Sequence, residues 1–172
     1  MFTFRNIELP NDSSTIISFR KDSYAVSFGD TSQFGNAQDY LRKIENRLQL
    51  FPGGLVIVEH NNQAVGQIEM QIKENEFENI GYVNLFYLMP EYRGKGMGSE
   101  LIGYAERFFA SYNIMEYQLR AAITNTNALN FYKKHGFRIL RTEETETPHP
   151  RYRLGKAFYN ENVIHSGGNG YL

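Results

Sequence analysis

The chain has 172 residues, of which 41% are hydrophobic and 22% charged, a composition typical of one folded domain with a sizeable core. Its formal net charge of −1 gives no overall attraction to nucleic acid or to an anionic membrane. The absence of cysteine excludes disulfides, cysteine nucleophiles and cysteine-ligated zinc. We therefore expect a cytoplasmic protein that binds neither nucleic acid nor membrane.

The first third of the chain predicts a strand and then helices. The segment "FTFRNIEL" alternates like a strand, and Asp12, Ser13 and Ser14 are candidate caps for a helix that follows. Four apolar residues then recur on one helical stripe, namely Ala37, Leu41, Ile44 and Leu48. Pro52, Gly53 and Gly54 are expected to end that helix.

The rest of the chain predicts a sheet interrupted by two helices. Strand-like segments are "LVIVEH", "AVGQIEMQI", "IGYVNLFYLM", "MEYQLRAAI", "FRILRTEE" and "RYRLGKAFY". The helical segments are residues 98–112 and "TNTNALNFYKKHG". This order predicts an α/β (α+β) fold in a single domain over residues 1–160, with residues 161–172 as a loose tail.

The stretch "MPEYRGKGMGSEL" places glycines at 94, 96 and 98, beside Arg93 and Lys95, at the start of a predicted helix. Backbone N–H groups at a helix N-terminus can bind a phosphate or a pyrophosphate, and glycine lets them approach it closely. The alternative is a tight turn with two solvated cations. The spacing does not fit a P-loop. It does not fit a dinucleotide fingerprint either, because Ser99 stands where that motif needs glycine.

Two segments of the chain resemble the GNAT acetyltransferase superfamily. "LFYLMPEYRGKGMGSELI" is similar to the family's acetyl-CoA-binding segment, with Arg93, Gly96 and Gly98 at its pattern positions. "NTNALNFYKKHGF" is similar to a second segment further along the chain in the same family. Its matching residues are Asn125, Ala128, Phe131, Tyr132, Gly136 and Phe137.

The resemblance implies a mixed, mostly antiparallel sheet whose fourth and fifth strands splay apart around acetyl-CoA. It implies that Phe86, Tyr87 and Leu88 pair with the pantetheine arm. The pyrophosphate would be bound by the loop from Arg93 to Ser99, that is Arg93, Gly94, Lys95, Gly96, Met97, Gly98 and Ser99. Asn125 matches a pantetheine-binding position, although a plain helix cap explains it equally.

The resemblance also implies direct transfer of an acetyl group to an amine. Tyr132 matches the family's general acid, with a core tyrosine as the alternative. Arg120 and Asn84 stand where some members have a glutamate base. Glu69, acting directly or through water, is the candidate base, with a solvent-facing strand residue as the alternative. His149 is a second candidate, with a plain loop residue as its alternative, and a route through bulk solvent would need neither. The four histidines show no metal-ligand spacing, so we expect no catalytic metal.

The motifs leave three functions open. The first is an acetyl-CoA-dependent N-acetyltransferase that acts on a small amine, an amino acid, a protein N-terminus or a lysine. The second is a non-catalytic acyl-CoA sensor on the same fold, and the third is a different nucleotide-diphosphate binder. A homodimer is a further expectation from the resemblance.

Overall fold

The computed structural model describes residues 1–74, 76–144 and 149–158, so the predicted tail over 161–172 lies outside the described residues. The strands are β1 Thr3–Asn6, β2 Leu55–His60, β3 Gln63–Glu74, β4 Asn79–Leu88, β5 Glu116–Ala122, β6 Arg138–Glu143 and β7 Arg151–Ala157. The helices are α1 Ser13–Phe28, α2 Ala37–Leu50, α3 Gly98–Ser111 and α4 Thr126–Lys134. Short 3-10 turns lie at Ser32–Phe34 and Pro90–Tyr92.

The seven strands form one sheet in the order β1-β2-β3-β4-β5-β7-β6. Every neighbouring pair is antiparallel except β4 and β5, which run parallel. The crossover between those two parallel strands contains α3, as parallel pairing requires. The predicted mixed, mostly antiparallel sheet is confirmed.

β4 and β5 pair over a short stretch and then separate. Gly81, Tyr82 and Val83 pair with Tyr117, Gln118 and Leu119, and the ladder stops there. On the other side of β4, Glu69 pairs with Leu85 and Met70 with Val83, so Asn84 is an extra residue in the ladder. Such a bulge bends its strand and increases the local twist. The bulge therefore lies where β4 leaves β5, which accounts for the splay.

Both faces of the sheet are covered by helices. Along β2, Leu55 and Ile57 pack in a cluster with Ile16 of α1 and Ile44 of α2. The alternate residues of β2 belong to a larger cluster on the other face, which includes Phe109 of α3 and side chains from α4. Because side chains of a strand alternate between faces, a strand buried on both sides reads as a continuous apolar run, as "LVIV" does.

The cap of α1 differs from the sequence-based expectation. Asp12 precedes α1, but its carboxylate accepts from Arg5 and from the Glu8 N–H instead of from the first helical turn. Asn36 caps α2 by accepting from the N–H groups of Gln38 and Asp39. Arg5 competes successfully for Asp12 because a charged pair forms a stronger hydrogen bond than a neutral donor does.

Candidate active site

A cavity of about 710 Å³ opens where β4 and β5 separate. Its walls come from α1, the C-terminal half of β4, the glycine loop, the C-terminal end of β5, and α4, and Arg151 of β7 completes one side. The two segments singled out by sequence thus meet in one site.

One edge of β4 lines this cavity without a neighbouring strand. The Met89 N–H donates to the Val65 carbonyl on the β3 side, at 2.8 Å. The Asn84 carbonyl accepts from Arg20 Nη1 at 3.1 Å, and the Leu88 carbonyl accepts from Arg93 Nε at 2.7 Å. Backbone groups alternate between the edges of a strand, so Phe86 presents its N–H and C=O to the open side. This is an edge to which an extended ligand could add as a strand.

Phe86, Tyr87 and Leu88 all line the cavity, but the Tyr87 side chain has another partner. Its ring packs against Phe19 of α1, and its hydroxyl donates to Asp22 at 2.7 Å. Burial, followed by the hydrogen bond to Asp22, raises the pKa of Tyr87. Tyr87 therefore contributes backbone to the cavity and ties β4 to α1 with its side chain.

The three glycines of the loop serve two different purposes. Gly94 and Gly96 have φ values of +70° and +77°, a region that side chains rarely tolerate. Gly98 is the first residue of α3, and a Cβ there would stand 2.6 Å from the Phe131 ring of α4. The first two glycines set the path of the loop, and the third permits close packing of α3 on α4.

The remaining loop residues are placed differently from one another. Gly94, Gly96 and Gly98 line the cavity, whereas Lys95, Met97 and Ser99 are not among the described residues that line it. Met97 packs against the core, and Ser99 Oγ donates to the Gly96 carbonyl at 2.8 Å. Pyrophosphate binding by these three residues remains a prediction that concerns their backbone groups.

Arg93 is turned back toward α1. Besides the Leu88 carbonyl, its guanidinium contacts Asp22 Oδ2 at 2.7 Å through Nη2. Burial alone would raise the pKa of Asp22, but hydrogen bonds from Tyr87 and Arg93 outweigh it and lower that pKa. Asp22 was not identified from the sequence, because nothing in α1 marks it as the partner of a loop 71 residues away.

Asn125 lies at the start of α4, where its side chain accepts from the Ala128 N–H at 3.3 Å. The helix-cap explanation is therefore correct. Asn125 also lines the cavity, so pantetheine binding by the rest of its side chain remains a prediction.

Tyr132 lines the cavity from α4 and is half-buried. Its ring packs against Phe137, with centroids 5.3 Å apart, and lies 6.5 Å from Phe86 on β4. Burial raises the pKa of Tyr132, so its hydroxyl stays protonated at neutral pH and can act as a donor. Among the described residues, no hydrogen bond is formed by that hydroxyl, which leaves its proton available to a ligand.

Glu69 is in a different place from the one expected of a base. It is 1% exposed, so the solvent-facing alternative is wrong. Its Oε2 accepts from the Tyr40 hydroxyl at 2.9 Å and from Gln67 at 3.2 Å, and Arg47 lies 3.7 Å from Oε1. Glu69 is not among the described residues that line the cavity, so the geometry gives no support to direct proton abstraction by this carboxylate.

Three arginines from outside the glycine loop, Arg20, Arg120 and Arg151, line the cavity. The sequence analysis names only Arg120, and only for the glutamate it replaces. The other two are separated by 131 positions in the chain, so no sequence pattern groups them.

The site fits a coenzyme A ester. An extended pantetheine arm matches the open edge of β4, and the loop with two left-handed glycines lies at the start of a helix. In residues 1–74, 76–144 and 149–158, no group of three or more His, Asp or Glu side chains is placed to hold a metal ion. Within the same ranges, none of the helices combines the length and the apolarity that crossing a membrane demands.

Curated relatives cover part of this chain. The chain is 28% identical over 88 residues to an N-alpha-acetyltransferase MAK3 of Arabidopsis thaliana, and 32% identical over 86 residues to a spermidine N(1)-acetyltransferase of Thermoplasma acidophilum. These matches span 51% and 50% of this chain. The chain aligns with only 46% and 51% of the respective relatives' lengths.

Similarity of structure extends further. A chain of the NatC complex bound to Gag peptide and CoA superimposes with a TM-score of 0.73 at 15% identity. That superposition covers 92% of this chain and 99% of the other. Residues 20–137 match the acetyltransferase (GNAT) family, and they include the glycine loop, Tyr132 and both splayed strands. The chain therefore belongs to the GNAT acetyltransferase family.

Proposed function

We propose that the protein is an acetyl-CoA-dependent N-acetyltransferase that transfers the acetyl group directly to a primary amine. The observation that carries this proposal is the meeting of three features in one cavity: the open edge of β4, the glycine loop, and the protonated hydroxyl of Tyr132. Each feature supplies something that the reaction requires.

Binding would use mostly backbone. Phe86 offers its N–H and C=O and Leu88 its N–H along the open edge, and the loop amides between Arg93 and Ser99 would take the pyrophosphate. Arg93 would act indirectly, since its guanidinium contacts Asp22 and the Leu88 carbonyl. Bound acetyl-CoA would supply the activated acyl group.

The chemistry needs a donor for the developing oxyanion and a proton for the departing thiolate. The amine nitrogen attacks the thioester carbon, the carbon–sulfur bond breaks, and the sulfur leaves with its electron pair. The Leu88 N–H at the open edge is suited to the oxyanion. Tyr132 would donate to the sulfur, mainly as a hydrogen-bond donor, because a free phenol holds its proton about 1.5 pKa units more tightly than a thiol.

The acceptor amine must also lose a proton. Among the described residues that line the cavity there is no Asp or Glu, so a carboxylate base is not part of the proposal. After a neutral amine attacks, the nitrogen would lose one proton to solvent, and solvent would return a proton to the departing thiolate that Tyr132 hydrogen-bonds. An amine that arrives as an ammonium ion would first lose a further proton to solvent. The surrounding arginines favour this, because nearby positive charge disfavours an ammonium ion.

Relatives support the reaction type more than the acceptor. The matched relatives are named for N-alpha-acetylation and for spermidine N(1)-acetylation, so their names agree on N-acetyl transfer and differ on the amine. Likeness alone therefore does not choose an acceptor for this chain.

The test measures free thiol released from acetyl-CoA with a panel of amines. We expect release with at least one amine class, and Tyr132→Phe should lower kcat about 10- to 100-fold while leaving acetyl-CoA binding intact. Tyr112→Phe is the matched control, because Tyr112 packs against Phe108 on α3 and is not among the described residues lining the cavity.

The alternative, a non-catalytic acyl-CoA sensor, predicts saturable acetyl-CoA binding with no thiol release for any amine. Equal rates for the wild type and Tyr132→Phe would instead remove Tyr132 from the mechanism. Absence of acetyl-CoA binding would overturn the assignment of the glycine loop.

A further inference from the structure

Three arginines from outside the glycine loop give the cavity unbalanced positive charge. Arg20 comes from α1, Arg120 from β5 and Arg151 from the adjoining β7, where Arg151 pairs with Ala122 of β5. None of the described residues lining the cavity is acidic. We call Arg20, Arg120 and Arg151 the arginine cluster.

Two of the three have protein partners nearby. Arg20 donates to the Asn84 carbonyl at 3.1 Å, and among carboxylates it is the charge of Glu69 that raises its pKa most. Arg120 Nε donates to the Tyr82 hydroxyl at 3.0 Å, and its Nη1 lies 3.8 Å from Glu143.

These carboxylates are shared with other cations. Glu143 also pairs with Arg141 at 3.1 Å and with Arg153 through a close bidentate contact. Glu69 lies 3.7 Å from Arg47. Each of the two carboxylates therefore pairs with arginines that are not among the described residues lining the cavity, namely Arg141 and Arg153 for Glu143 and Arg47 for Glu69.

Arg151 is the third member of the arginine cluster. Its guanidinium lies over the Phe28 ring, 4.9 Å from the centroid, and among the described residues it forms no salt bridge. Its Nε is buried and, within the described ranges, has no hydrogen-bond partner. Burial, and then the charges of Arg120 and Arg20, lower its pKa without removing its charge. A buried donor on a cation is costly unless an acceptor satisfies it.

A polyamine would bring more positive charge to a site that already has too much. A carboxylate would satisfy the planar donors of a guanidinium with two parallel hydrogen bonds. Under the proposed function, the same molecule must also present its amine to a thioester near Tyr132 and Leu88.

Resting on the proposed function, we infer that the acceptor is an amine bearing a carboxylate close to its amino group, which Arg151 binds with help from Arg20 and Arg120. The carboxylate has two sources, the α-carboxyl of a free amino acid or an acidic side chain near the N-terminus of a peptide. The polyamine spermidine, in contrast, is predicted to be a poor acceptor.

The experiment compares amines in matched pairs that differ only in the carboxylate. Lysine is paired with cadaverine, and tyrosine with tyramine. The peptide arm pairs C-terminally amidated peptides that begin with Asp or with Asn. For every compound, binding to the CoA-saturated protein is measured by calorimetry, and thiol release from acetyl-CoA is measured separately.

We expect at least one carboxylate-bearing member to bind about 10- to 100-fold more tightly than its partner. Arg151→Gln should abolish that preference by weakening the carboxylate-bearing member alone, with acetyl-CoA binding unchanged. Arg151→Lys should restore part of it, because charge returns without the planar fork. Arg42→Gln, at an exposed arginine of α2, is the matched control and should change nothing.

If Arg151→Gln fails to fold, Arg120→Gln serves as the second variant, with a smaller expected loss because Arg120 already has partners. Equal binding of both members of every pair, preference for the decarboxylated amines, or no binding of any amine would each overturn the inference. Thiol release with decarboxylated amines alone would do so while upholding the proposed acetyltransferase. A carboxylate preference in binding without thiol release would uphold the inference and count against catalysis.

Discussion

Asp22 joins three parts of the site through one carboxylate. It accepts from Tyr87 of β4 and from Arg93 of the loop, both at 2.7 Å, and it belongs to α1. Its side chain is 38% exposed, so its ion pair with Arg93 contributes at most about 1 kcal/mol. Its importance is positional, because it fixes where Arg93 lies between α1 and the strand edge.

Asp22→Asn keeps an acceptor for Tyr87 and removes the charge that holds Arg93. We expect a rise in the KM for acetyl-CoA of about two- to fivefold, with kcat for a saturating amine little changed. Steady-state kinetics measure this. Asp39→Asn, at an exposed i,i+3 pair with Arg42, should leave both constants unaltered. A loss confined to kcat would show that Asp22 acts on the chemistry instead.

Tyr132 leads to a prediction about pH. Its pKa is raised by burial, so the protonated donor persists well above neutrality. The acceptor amine, in contrast, becomes reactive as it loses its proton. We expect kcat/KM to rise with pH between about 6 and 9 and then level off, with no fall over that range. Tyr132→Phe should give a profile of the same shape at a lower level, and a descending limb near neutrality in the wild type would contradict this assignment.

At the scale of elements, the contact of α3 with α4 depends on Gly98. Gly98→Ala places a Cβ 2.6 Å from the Phe131 ring, so α3 must shift relative to α4. We expect a loss of about 1 to 3 kcal/mol in the free energy of unfolding and weaker acetyl-CoA binding, because the loop enters this helix. Denaturant titration and calorimetry measure the two effects.

Gly103→Ala, five residues along the same helix, is the control for that variant. The atom nearest to its new Cβ is the end of the flexible Arg107 side chain, at 3.3 Å. Replacing a helical glycine by alanine there should stabilise the protein by about 0.5 to 1 kcal/mol. Equal stability changes at the two positions would mean that packing against Phe131 is unimportant.

The elements were largely predictable, and the reasons are local. α3 was expected over residues 98–112 and spans Gly98–Ser111, because its apolar spacing and its glycine-rich start are both visible in the sequence. The loop and α4 could be paired because each carries its own motif. The bulge at Asn84 could not be predicted from the sequence, since it depends on the register between β3 and β4.

The candidate site was predictable only on its cofactor side. The sequence motifs predict Tyr132, Asn125 and the edge of β4 as parts of the site, and the structure brings them to one cavity. The motifs do not predict Arg151 and Asp22, because the importance of these two residues comes from neighbours that are distant in sequence. The burial of Glu69 could not be predicted, because the alternation along β3 does not reveal that α2 covers that face of the sheet with Tyr40.

At the scale of the whole molecule, Arg5 connects the first strand to α1 and to β2. It contacts Asp12 at 2.8 and 2.9 Å and Glu59 at 2.7 Å. The hydrogen bond from Arg5 lowers the pKa of Asp12, although burial acts in the opposite direction. A carboxyl group whose pKa is lowered by folding stabilises the protein above its unfolded pKa, near 4, and loses that contribution as the pH falls further.

Asp12→Asn should therefore destabilise the protein at pH 7 by about 1 to 2 kcal/mol. The difference from the wild type should shrink as the pH falls from about 4 toward 2, because the wild-type carboxylate is then protonated as well. Urea unfolding at a series of pH values measures this. A difference that stays constant over that range would mean that the charge of Asp12 contributes nothing.

The separation of β4 from β5 leaves an unpaired strand edge inside a sheet, where most proteins tolerate none. Exposed edges invite pairing with other chains and so promote aggregation. Here Arg20 and Arg93 occupy the carbonyls of Asn84 and Leu88, so only the short stretch around Phe86 is left open, and α1 and α4 stand on either side of it. The open stretch is thus short and bordered by helices, which leaves little edge for another protein's strand to pair with and so limits aggregation at this site.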